Sequence, residues 1–119
     1  MNGDERTPSR ADDVFFQLSH PRRRALVLLL AASPTQSITL RTAASIIYAL
    51  EQPVQANRAQ TREVTNLRTN LKRSHLPQLT ASGVLHRDGD QLTPGPAFGV
   101  SLDVLLSAGY WFGTANHGR

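Results

Sequence analysis

The sequence holds no cysteine in its 119 residues. Disulfide staples, thiolate metal sites and a cysteine nucleophile are therefore excluded. Its four histidines are His20, His75, His86 and His117, and none stands three or four residues from another. That spacing offers no preformed metal site, and no metal is expected. No apolar run reaches the ~20 residues that a bilayer span needs. The opening MNGDERTPSRADD is polar and acidic where a secretory signal would be apolar, so the cytoplasm is the expected location. Catalytic patterns are missing as well. There is no glycine-rich phosphate loop, no nucleophile–base pattern and no pair of carboxylates in a plausible cleft; Glu51 and Glu63 flank a loop and read as surface groups. Neither an enzyme nor a cofactor is expected.

Lysine is nearly absent. Of thirteen basic residues only Lys72 is lysine, and the rest are arginine. Arginine suits bidentate contacts to phosphate and guanine, although a GC-rich coding sequence produces the same bias. The net charge is +4, and its distribution says more than its size. Asp4, Glu5, Asp12 and Asp13 face only Arg6 and Arg10 near the start. Residues 58–87 carry Arg58, Arg62, Arg68, Lys72, Arg73 and Arg87 against Glu63 alone. A local positive excess is the footprint of a polyanion partner, or an ordinary solvated face.

The length suits one domain, and an apolar content of 39% is enough for a small core. Residues 1–11 read as a disordered arm. Asp12 or Asp13 is expected to cap a short helix over Val14 to Leu18. Pro21 fits the first position of the next helix, PRRRALVLLLAA, which is apolar on most sides and should be central. Its first turn carries Arg22, Arg23 and Arg24, where the helix dipole disfavours cations. Asp12 and Asp13 are the expected structural partners, and a DNA phosphate is the alternative. Thr39 is a plausible N-cap for a third helix with Leu40, Ala43, Ala44, Ile47 and Leu50 on its packing face. Pro53 ends it, and PVQANRAQ reads as a loop.

A longer helical segment follows, roughly from Gln60 to Ser82. Val64, Leu67 and Leu71 form its apolar stripe; Arg62, Thr65, Asn66, Thr69 and Arg73 lie opposite, with Lys72 on the flank. The next apolar positions are Leu76 and Leu79, and a step of five is out of phase with a helix of 3.6 residues per turn. Pro77 is the expected cause, by kinking or restarting the helix. Gly83 supplies a left-handed stop. Val84–Arg87, Asp88-Gly89-Asp90 and Gln91–Thr93 read as strand, turn and strand, and Pro94-Gly95-Pro96 as a rigid break. The last element, AFGVSLDVLLSAGYWF, carries one charge, Asp103. Phe98, Leu102, Leu105, Gly109 and Phe112 share a face. Dimerisation through Phe98, Leu102, Leu105, Leu106, Trp111 and Phe112 is the first reading, with membrane-surface contact or another protein as alternatives.

Three helices, a basic helix, a two-stranded wing and an apolar tail helix make the layout of a winged helix-turn-helix: mainly α with a small β wing. Residues 12–95 would form this unit and 96–119 the tail. The segments DDVFFQLSHPRRRALVLLL and SHLPQLTASGVL resemble the ArsR-like winged-helix family, with a Leu-Pro variant similar to small winged-helix proteins of halophilic archaea and their mobile elements. The resemblance spans roughly residues 12–93. It implies a homodimeric transcriptional regulator, most simply a repressor, that binds double-stranded DNA, and it places the recognition segment near Thr69 to Leu79. The cysteine pairs of metal-sensing relatives are missing. Combined with the helix pattern, it makes Asn66, Thr69, Asn70, Lys72 and Arg73 the candidate base readers. Arg62, Arg68 and Arg87 become the candidate phosphate contacts. His75, beside Leu76, reads as a packing residue. The alternative function is a protein-interaction module that uses the tail helix.

Overall fold

The computed structural model describes residues 10–53 and 61–117, the last ten of these and residues 10–12 through their backbone only. The N-terminal arm expected over 1–11 and the side chains of Trp111 and Phe112 thus lie outside the described residues. The elements in order are α1 (Arg10–Gln17), α2 (Pro21–Ala32), β1 (Ile38–Thr39), α3 (Leu40–Glu51) and α4 (Thr61–Asn70). A π-helical turn (Leu71–His75), α5 (Leu76–Ala81), β2 (Leu85–Asp88), β3 (Gln91–Pro94) and α6 (Phe98–His117) complete the chain. The fold is mainly helical with a small antiparallel sheet. Among the described residues no helix is long and apolar enough to cross a membrane.

Local chemistry sets most boundaries. Pro21 occupies the first turn of α2, where its missing N–H is harmless, and His20 caps it by accepting the Arg22 amide. Thr39 caps α3 by accepting the Thr42 amide at 3.1 Å. The helix α1 begins at Arg10, so Asp12 and Asp13 lie inside it and do not cap it. Gly83 ends α5 with φ +80°. The Val84 amide bonds back to Leu79 and the Gly83 amide to Thr80, which satisfies two free carbonyls. Leu79 and Val84, which such a stop brings together, are both fully buried.

Leu26, Val27 and Leu30 of α2 form the middle of the core, as the all-round apolar pattern implies. Leu40, Ala43, Ala44 and Ile47 pack from α3, and Leu67, Leu71, Leu76 and Leu79 from the α4–α5 segment. Leu50 is a correction: it is 65% exposed, and Tyr48 is buried in its place.

The step of five between Leu71 and Leu76 is taken up by the π turn, and the helix restarts after it as α5, with Pro77 in its first turn. The Leu76 amide bonds to the Leu71 carbonyl, five residues back, across the π turn. One extra residue in the turn brings Leu71, His75, Leu76 and Leu79 to the same buried side.

The wing has three strands, not two. β2 and β3 form the hairpin around Gly89, whose φ of +61° suits a tight turn. β1 pairs with the other side of β3, Ile38 against Leu92, giving the order β1-β3-β2. The Leu40 amide also donates to the Asp90 carbonyl at 2.8 Å. The wing is thus fastened to the start of α3.

Candidate functional site

The α4–α5 segment buries one side and offers the other to solvent. Arg62, Thr65 and Asn66 are exposed on α4, and Lys72, Arg73 and Ser74 on the π turn. Arg62, Asn66, Thr69 and Arg73 follow one another at steps of four, three and four, so they line one side of the helix. Thr69 and Arg68 are half-buried. Among the described residues none of Arg62, Arg68, Lys72 and Arg73 is ion-paired; the single salt bridge is between Arg22 and Glu51.

Asn70 departs from the expected set of readers. Its Oδ1 accepts a hydrogen bond from Arg22 at 2.7 Å, which turns it towards α2. Arg87 departs as well. It lies across from Leu92 in the sheet, on the inner side shared with Leu85, and its Nε donates to the Gly89 carbonyl at 2.8 Å. On the outer side the wing exposes His86 and Asp88.

The three arginines of α2 run to separate elements. Arg22 makes two bonds to the Glu51 carboxylate, 2.7 and 2.8 Å, as well as its bond to Asn70. Arg23 donates to Nδ1 of His75 at 3.0 Å and to Oε1 of the buried Gln17 at 2.9 Å. Arg24 donates to the Leu18 carbonyl at 2.9 Å. The structural reading of these cations therefore holds, but the partners are Glu51, Asn70, His75, Gln17 and Leu18. The expected partner Asp13 makes no ion pair with them, and the Asp12 side chain lies outside the described residues. Glu51 is more than a surface group, since it anchors Arg22. The arrangement ties α1, α2, α3 and the α4–α5 segment together at one junction.

Residues 15–93 match the model of one family, described as Domain of unknown function (DUF7344). The chain belongs to this family. No curated protein and no solved structure matches it. The DUF7344 segment runs from within α1 to the third residue of β3, so it includes the arginine junction, the basic helix and all of the wing but Pro94, and it excludes α6.

Beyond the DUF7344 segment, α6 packs on α1 and α2. Phe98 and Leu105 of α6 are buried in the core, and Leu102 is half-buried. Two residues expected at a dimer interface thus serve the chain's own core. Leu106 is 59% exposed, and on α1 Phe15 and Phe16 are 58% and 65% exposed.

Among the described residues of the DUF7344 segment, His75 is a strongly perturbed titratable group. Burial pushes its imidazole down to about 4, and the nearby His20, Arg23 and Arg22 add to the effect. The His20 and His75 rings stand 4.3 Å apart. The Arg22 bond holds the Glu51 carboxyl below its usual range. Both shifts make the fold sensitive to acid in the same direction. In the unfolded chain His75 takes a proton near pH 6.5, whereas the folded chain refuses it until about pH 4. Stability is thus expected to be full above pH 6.5 and to fall as pH drops towards 4, with Glu51 adding its loss at the acid end. Urea unfolding at pH 7.5, 6, 5 and 4.5 reads this. The slope between pH 6.5 and 4.5 should flatten in His75→Gln, and an unchanged slope would assign it to another group.

Proposed function

We propose that the chain is a sequence-selective, double-stranded DNA-binding transcriptional regulator, an ArsR-like winged-helix protein that acts as a homodimer in the cytoplasm. One observation carries this reading. A helix that buries Leu67 and Leu71 and half-buries Val64 on its inner side presents Arg62, Asn66, Lys72 and Arg73 outward, exposed and without ion pairs among the described residues. The major groove admits such a helix. Arg73 has the donors to read guanine, and Asn66 both a donor and an acceptor for adenine. Lys72 can also donate to guanine, and Arg62 suits a phosphate at the groove edge. The exposed Phe15, Phe16 and Leu106 of α1 and α6 support self-association, which would pair two half-sites about one helical turn apart.

The same exposed side chains favour a second reading, a protein-interaction module whose basic side is incidental. One experiment separates the two. The purified chain is run in a gel shift on DNA from upstream of its own gene, at several salt concentrations, beside an unrelated duplex. Regulation predicts selective binding by two chains per site, with an affinity that falls steeply with salt. Arg73→Ala should weaken binding by about 1–3 kcal/mol, roughly five- to 150-fold, if it reads a base. A response flat in salt, or a variant that binds like the parent, moves the weight to the interaction module.

A further inference from the structure

A cleft of about 440 Å³ opens between α3 and α4, lined by Arg41, Ser45, Thr61, Val64, Thr65 and Arg68. Its size lies within the ~300–1,000 Å³ of small-ligand sites. Its chemistry points one way. Two guanidinium groups and three hydroxyls are donors, and among the described residues none that lines the cleft is acidic. Arg41 is exposed and Arg68 half-buried, and among the described residues neither makes an ion pair or a side-chain hydrogen bond. Two cations that share a cleft repel each other, and an oxyanion between them would relieve the repulsion while accepting charge-assisted bonds from both. Arg41 and Ser45 stand four residues apart on α3. Thr61, Thr65 and Arg68 follow at steps of four and three on α4, so each helix turns one polar flank into the cleft.

We propose that this cleft binds a phosphate group held between Arg41 and Arg68. The phosphate comes either from the DNA backbone or from a small phosphorylated ligand. For the DNA source the proposal rests on the function proposed above. Thr65 borders both the cleft and the outward side of α4, so a backbone phosphate in the cleft would hold Asn66 and Arg73 in register over the groove. Arg41 lies outside the residues that the sequence pattern marked, because it belongs to a different helix from the basic stretch.

The test uses the full chain and the variants Arg41→Gln and Arg68→Gln, checked for an unchanged thermal midpoint. In the first arm, the affinity for the duplex is measured against salt. Arg41→Gln should lower the slope by about one and the low-salt affinity by roughly tenfold. Arg41 is exposed, so this arm stands even if Arg68→Gln fails to fold. In the second arm, inorganic phosphate is titrated while the backbone amide shifts of Ser45 and Thr65 are followed in the parent and in Arg41→Gln. A reduced slope assigns the cleft to backbone phosphate. Shifts that the variant loses, with an unchanged slope, assign it to a small phosphorylated ligand. If the parent binds no duplex, the proposed function fails, and the phosphate arm alone decides the cleft. Unchanged slopes together with unmoved amides overturn the proposal.

Discussion

Gly95→Ala should destabilise the fold by about 3 kcal/mol or more, lowering the melting temperature by at least ~10 °C. An added Cβ would fall well inside van der Waals contact with the Gly83 carbonyl oxygen, 2.9 Å from the Gly83 carbonyl carbon and 3.2 Å from that of Leu85. All three are backbone atoms, and they are pinned. The Gly95 amide donates to Val84 at 3.1 Å, and the Ala97 amide donates to Gly83 at 2.7 Å. The chain leaving the wing crosses here over the chain that enters it, and only a residue without a side chain passes. Shifting Gly83 would also disturb the stop of α5, where the backbone is already left-handed. Gly99→Ala is the comparison. Nothing lies within 4 Å of its Cβ position, and it sits inside α6, so it should be neutral or add up to about 1 kcal/mol. Thermal melts of the two variants settle the matter; similar midpoints would mean that the crossing has room to give.

Deleting Ser74 should cost about 3 kcal/mol, and combining the deletion with Pro77→Ala should recover most of it. Ser74 is an exposed residue of the π turn. Without it, Leu71, His75, Leu76 and Leu79 would fall at zero, three, four and seven along a regular α-helix, which is an intact packing stripe. The core therefore survives the deletion, but the proline does not fit. In a regular helix its ring meets the carbonyl four residues back. In the present fold that carbonyl belongs to Arg73, inside the wider turn, where the Leu76 amide bonds five residues back and not four. The deletion would replace this turn by an ordinary one and restore the clash, and alanine would remove the ring and supply the missing N–H. Urea unfolding of the parent, the deletion and the double change measures each step. A deletion as stable as the parent, or a double change with no recovery, would show that the π turn is kept for some other reason.

Features governed by neighbouring residues were legible in the sequence. Pro21 at a helix start, Thr39 as a cap, Gly83 as a stop and Gly89 in a hairpin each act over a few residues, and all stand where the sequence places them. The features that escaped depend on residues brought together from afar. Two residues, Ile38 and Thr39, are too short a run to announce a strand, and they become one only because β3 lies alongside. Arg22 finds Glu51 and Asn70, and Arg23 finds His75, from separate helices. The slip after Leu71 was visible as a step of five. A widened turn and a proline kink leave the same mark in a sequence, so the pattern alone could not separate them. The candidate site was legible in its basic helix. Asn70 and Arg87 left the expected set because their side chains are engaged within the chain, which is a matter of tertiary contact.

The pairing of β1 with β3 also governs the order in which the molecule can assemble. β2 and β3 are neighbours and can zip together early, since their loop is short. Ile38 and Leu92 have α3, α4 and α5 between them in the chain, so their pairing is expected to form later than the β2–β3 hairpin. The third strand is thus a seal set on a helical body that already exists. It is also the part with the least of its own to hold it, only two residue pairs. Opening of the native chain would start at that seam, with Ile38 and Leu40, whose amides face β3, exchanging their hydrogens before the core of α2 gives up any.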